Sequence, residues 1–180
     1  MEQNKDKKND YVKVALYAYP TLKTLIKEYK EHIYERAVHS YGGKMDAEEA
    51  VTYIAQQILN MQALECLKEI LERVFSKLSA IEWTMLALRY FGLRRKSVKA
   101  ELIKEKKQFS SERGYFRAQE KLLKKTAALL QAAGLDEKYF QSRFCDIDEL
   151  KPIYRYVEKG KDAKMLKREK EFALKENTSV

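Results

Sequence analysis

Six glycines and two prolines are the only strong helix breakers in a chain of 180 residues. Folds built from strands need frequent turns, and turns draw on Gly, Pro, Asn and Asp. No stretch alternates β-branched and polar residues for long. Ala, Leu, Lys, Glu and Gln fill most of the sequence, and these side chains lose little rotamer freedom in a helix. The expected fold class is therefore all-α. Hydrophobic residues make up 45% and charged residues 35% of the chain, which supports a packed interior under a charged surface and argues against disorder.

Several function classes lack their signals. The leader MEQNKDKKND is charged and has no apolar core of the kind a signal peptide carries. The longest uncharged run, Ala50 to Leu64, includes Thr52, Gln56, Gln57, Asn60 and Gln62 and falls short of the ~20 apolar residues that cross a bilayer. No membrane segment is expected. Cys66 and Cys145 have no CxxC partner, so a reducing cytoplasm is the expected location. His32 and His39 lie seven apart with no HExxH, no Cys pair and no acidic cluster at metal-ligand spacing. Neither a glycine-rich phosphate loop nor GxSxG occurs. The expectation is a protein with no catalytic residues, no metal and no cofactor.

Along the chain, Val14, Tyr17 and Ala18 suggest a short helix that Pro20 interrupts or restarts. Leu22, Leu25, Ile26, Tyr29 and Ile33 then recur on one helical face to about His39, and Gly42 and Gly43 end the element. Asp46 and Glu49 have capping-box spacing. Behind them an apolar stripe, Val51, Ile54, Ile58 and Met61, continues through Leu64, Leu67, Leu71, Val74 and Leu78. This is either one helix of some thirty residues or two with a break near Asn60. Its apolar face is either intramolecular core or a surface for a homodimer or for RNA polymerase.

The next junction is the most legible. Ser79 and Glu82 form a second capping box, with Leu78 and Trp83 placed for a hydrophobic staple. Ile81, Met85 and Leu88 lie on one side of the ensuing helix and Trp83, Leu86 and Tyr90 on the other, so it is expected to be buried all round, with Gly92 as its stop. A basic turn follows, Leu93, Arg94, Arg95 and Lys96, and Ser97 caps a helix carrying Val98, Leu102 and Ile103 inward. Ser110 or Ser111 caps the next helix, which runs to Gly134 with Leu122 and Leu129 on its buried side.

The net charge of +9 is concentrated here. Residues 91–130 carry twelve Lys and Arg against four Asp and Glu, a net +8, whereas residues 1–90 sum to zero and residues 131–180 to +1. Such a block is either a solvated helical face or a field that attracts a polyanion and releases its counterions. One buried helix followed by two basic ones is what a helix-turn-helix unit needs. After Gly134, Asp136 caps a short helix with Tyr139, Phe140 and Phe144. Asp148 and Glu149 open another, with Pro152 near its start and Ile153, Tyr156 and Val157 inward. The tail after Gly160 reads as an exposed, charged helix.

LSAIEWTMLALRYFG, beginning at Leu78, resembles the opening of the fourth conserved region of bacterial sigma factors. SSERGYFRAQEKLLKKTAALL, beginning at Ser110, is similar to the recognition helix of that region and, more closely, of phage late-gene regulators of the ArpU and RinA type. The resemblance covers about fifty-five residues. Between Phe91 and Ser110 this chain is longer than the sigma pattern, with EKKQF in place of a small-residue turn, and Gly114 sits in the first turns of the recognition helix.

The expected organisation is an N-terminal helical hairpin or bundle (1–77), a helix-turn-helix unit (78–134) and a C-terminal helical extension with a charged tail (135–180). In that reading the chain is a sequence-specific DNA-binding transcription regulator. Ser111, Arg113, Phe116 and Arg117 read bases in the major groove, while Arg94, Arg95, Lys96, Lys99, Ser110 and Lys121 hold phosphates. Tyr115 is expected inside and Phe116 near the groove, with both packed inward as the alternative. Double-stranded DNA is then the partner. The alternative function is a helical interaction module, or an RNA polymerase-binding adaptor, that does not itself touch DNA.

Overall fold

The structure is a computed structural model, and it describes residues 10–39, 46–92 and 112–159. Among these residues the chain forms six α-helices and one 3-10 turn, with no strand. The helices are α1 (Asp10–His39), α2 (Ala47–Phe75), α3 (Ala80–Tyr90), α4 (Glu112–Ala132), α5 (Glu137–Phe144) and α6 (Lys151–Glu158); the turn, Asp148–Leu150, leads into α6. The all-α expectation holds.

Pro20 does not divide the first element, contrary to the sequence expectation: α1 is a single helix of 30 residues with Pro20 inside it. A proline in a helix interior costs ~3 kcal/mol because it lacks an N–H and crowds the preceding turn. Here Pro20 is exposed, while Leu16, Ala18 and Leu22 on either side of it are fully buried. Burying both flanks against the same neighbours offsets that cost and keeps the two halves in one helix. The Thr21 hydroxyl donates to the Ala18 carbonyl at 2.8 Å, beside the turn in which Pro20 leaves the Leu16 carbonyl without its helical donor. The proposed stop at Gly42 and Gly43 lies outside the described residues.

The second long element is one helix of 29 residues with no break near Asn60. Asp46 caps it by accepting from the Ala47 N–H at 2.7 Å rather than from Glu49, so the expected capping box is a simpler cap. Helices α1 and α2 run antiparallel. Tyr19 meets Phe75, Tyr29 meets Asn60, and His32 meets Tyr53. Partners thus descend α2 as they ascend α1.

The apolar stripe of α2 is not continuous, a second departure from expectation. Leu64, Leu67, Leu71 and Val74 are buried, whereas Val51 is 68% and Leu59 43% exposed. The cause lies in the spacing. From Ile58 to Met61, Leu64 and Leu67 the stripe advances by three residues each time, and each step falls about 60° short of a full turn. Three such steps carry it to the opposite side of the helix. The lower half of α2 therefore packs into the core, while Val51, Ile54 and Ile58 point elsewhere.

Helix α3 begins with the expected capping box: the Ser79 hydroxyl accepts from the Glu82 N–H at 3.3 Å and the Glu82 carboxylate accepts from the Ser79 N–H at 2.9 Å. Gly92, at φ +62°, follows its C-cap as expected. Beyond its first turn the helix is enclosed on all sides, as expected; the first turn is not. Met85, Leu86, Ala87 and Tyr90 are buried, but Ile81 and Trp83 remain exposed, and the Trp83 ring stands edge-on to Phe91 at 6.3 Å. The exposure is confined to the first turn: Thr84 to Ala87, four consecutive residues that together circle the axis, are all buried, as is Tyr90.

Helix α4 closes with the two bonds of a Schellman motif, Gly134 N–H to Gln131 O at 3.0 Å and Leu135 N–H to Leu130 O at 2.9 Å. Gly134 takes φ +88°, which a side chain would resist. After it, Asp136 caps α5 by accepting from the Tyr139 N–H at 2.7 Å. Phe140, Phe144, Ile147, Leu150 and Val157 all turn inward. Tyr11 packs on Phe140 and Tyr17 on Tyr156. Helix α1 touches each of the other five described helices. It is the post around which one contiguous hydrophobic cluster is assembled, with members from all of them.

Candidate nucleic-acid interface

Helix α4 is amphipathic, and its two faces are set by its sequence. Leu122, Thr126 and Leu130 are buried, as is Gln119, and this side lies against α1 and α2. On the opposite side Arg113, Arg117, Lys121 and Lys124 are all exposed. At 3.6 residues per turn these four fall within an arc of about 80°, so their side chains form one stripe along the axis. The stripe begins at the N-terminal end of the helix, where the amides also offer positive potential.

Two contacts tie α4 to α3. The buried Gln119 side chain donates from Nε2 to the Met85 carbonyl at 3.2 Å and to the Tyr115 hydroxyl at 3.0 Å. Lys125 Nζ lies 2.7 Å from each oxygen of the Glu82 carboxylate. Glu82 is therefore bound twice, by Lys125 and by the Ser79 N–H of its own cap, and these two hydrogen bonds hold its carboxyl below the usual range. Lys125 belongs to the basic sequence block but is turned away from the exposed stripe by this pairing.

Of the residues expected at the interface, Arg113, Arg117 and Lys121 share the outer face of α4. Phe116 is half-buried and stacks edge-on with Tyr115 at 5.7 Å. Tyr115 packs against the core and Phe116 stands beside it. Arg94, Arg95, Lys96, Lys99, Ser110 and Ser111 lie outside the described residues, as does the helix expected from Ser97. Gln119 and the Glu82–Lys125 pair were not singled out by the sequence reading. The signal for Gln119 was its position: a polar residue on the core-facing register of an amphipathic helix, four residues after a tyrosine.

The remaining polar centres are structural in character. The Tyr29 hydroxyl donates to Glu149 at 2.7 Å and also bonds Asn60, joining α1, α2 and the 3-10 turn. Burial first, and then the Glu149 carboxylate, push its phenol far above the ordinary value, so it stays a neutral donor. His32 meets the Tyr53 hydroxyl at 2.9 Å at the hairpin surface. The His39 side chain lies outside the described residues. Cys66 and Cys145 are free thiols. Among the described residues no group of three His, Cys, Asp or Glu could hold a metal, and no helix is long and apolar enough to cross a membrane.

Comparison with known protein families, with curated proteins and with solved structures returned no match.

Proposed function

We propose that the chain is a sequence-specific DNA-binding transcription regulator, non-catalytic, that presents α4 to the major groove as the recognition helix of a sigma region-four-like helix-turn-helix. The observation that carries this reading is the exposed cationic stripe of Arg113, Arg117, Lys121 and Lys124 on the side of α4 opposite the core. Helix α3, buried from Thr84 onward and capped by Ser79 and Glu82, supports α4 from behind through Gln119 and Lys125. The concentration of positive charge in residues 91–130 adds the field that draws a duplex. Likeness in residue pattern to phage late-gene regulators of the ArpU and RinA type favours the same reading.

In this mechanism Arg113 and Arg117, one turn apart, reach base edges, with guanine O6 and N7 as the preferred acceptors. Lys121 and Lys124, farther along the helix, neutralise phosphates and fix register. The test is selection of bound duplexes from a random pool, followed by anisotropy titrations at two salt concentrations. Arg113→Ala and Arg117→Ala are each expected to remove about 1 to 3 kcal/mol of discrimination against the wrong base. Lys121→Ala is expected to weaken all sequences alike and to reduce the salt slope by about one. Weak, featureless binding by the unaltered chain would discard the DNA reading in favour of a helical adaptor that docks on RNA polymerase or another protein.

A further inference from the structure

The upper half of α2 is amphipathic in the wrong direction for its own fold. Its polar side faces α1: Tyr53 meets His32 and lies beneath the Arg36 guanidinium, and Asn60 bonds Tyr29. Its apolar side, Val51, Ile54, Ala55, Ile58 and Leu59, follows the i, i+3, i+4, i+7, i+8 spacing of one helical stripe, which ends at the polar but uncharged Gln62. Val51, Ala55, Leu59 and Gln62 are exposed, and Ile54 and Ile58 are half-buried. A stripe of this spacing on a helix surface is built to meet another helix.

The lack of charge along the stripe fits a second copy of the chain. Residues 50–64 contain no Asp, Glu, Lys or Arg, although charged residues make up 35% of the chain. A two-fold interface sets a patch against itself, so any charge near its centre meets its own copy. The stripe satisfies that condition over its whole length, with charges confined to its ends at Glu48, Glu49 and Glu65. Fifteen helical residues span roughly 22 Å.

We infer that the upper half of α2 is a homodimer interface, in which a second copy of this chain covers the stripe from Val51 to Gln62. The surface is remote in sequence from the proposed DNA-reading helix, and the inference does not rest on that reading. If both hold, the operator carries two half-sites related by a two-fold.

Sedimentation equilibrium of the full chain, from low to high micromolar concentration and without DNA, tests it. The unaltered chain is expected to pass from monomer to dimer across that range. Leu59→Glu and Val51→Glu are each expected to leave a monomer throughout, because each puts like charges together across the two-fold. Val51 is 68% and Leu59 43% exposed in the monomer, so helicity and melting of the dilute variants are expected to stay close to those of the parent. A parent that stays monomeric at every concentration, or a well-folded Leu59→Glu variant that dimerises as the parent does, would overturn the proposal.

Discussion

Glu82 performs two jobs with one carboxylate, since it closes the cap of α3 and holds Lys125 of α4. Its folded pKa is lowered, first by the Lys125 hydrogen bond and then by the Ser79 N–H. A carboxyl with a depressed folded pKa adds stability above its unfolded pKa, and that contribution fades as pH falls through the folded value. Glu82→Gln keeps an acceptor for the cap and removes only the charge. The variant is expected to be less stable than the parent at neutral pH by a few tenths to about 1 kcal/mol, the range of a partly exposed pair. Urea unfolding at stepped pH should show this difference shrinking in acid; a difference independent of pH would assign the contact no electrostatic role. The cap half of this arrangement was legible from the Ser-x-x-Glu spacing alone. The Lys125 half was not, because a pair separated by 43 positions leaves no local pattern.

Among the elements, α1 departs furthest from its local signals. Pro20 predicts an interruption, and the tertiary neighbours of Leu16, Ala18 and Leu22 override it. The position should therefore hold strain that substitution can release. Pro20→Ala, on an exposed site, is expected to raise stability by about 1 to 3 kcal/mol, with part of the helix gain lost to a more flexible unfolded chain. Chemical denaturation with unchanged far-UV circular dichroism checks it; equal or lower stability would mean that the proline serves the helix as it stands. Element starts and stops were read well wherever chemistry was local: the caps at Asp46, Ser79 and Asp136, and the stops at Gly92 and Gly134. The path of the α2 stripe was misread because apolar residues recur throughout, and only summing the turn angles between Ile58 and Leu67 reveals the change of side. On α4 the exposed face was legible from Arg113, Arg117 and Lys121. Its support by Gln119 was not, since a buried glutamine reveals its purpose only when its acceptor, the Met85 carbonyl, is in place.

At the scale of the whole molecule, the C-terminal helices are part of the core. Phe140, Phe144 and Leu150 are fully buried, Tyr11 and Tyr17 from α1 pack on Phe140 and Tyr156, and Tyr29 is bonded to Glu149. The first and last described helices thus hold each other, and α3 and α4 are fixed between them by the same post. Among the described residues one contiguous cluster draws on all six helices, which favours a single cooperative transition. The single tryptophan offers a direct test, because Trp83 reports on α3 alone whereas far-UV circular dichroism reports on every helix. The two signals are expected to give coincident urea transitions. Tyr29→Phe, which strips the Glu149 carboxylate of its buried donor far from Trp83 in sequence, should shift both midpoints together, by the equivalent of about 1 to 3 kcal/mol. A tryptophan transition that stays in place while the helical signal moves would divide the molecule into independent units, and α4 would then be supported by α3 without help from the hairpin.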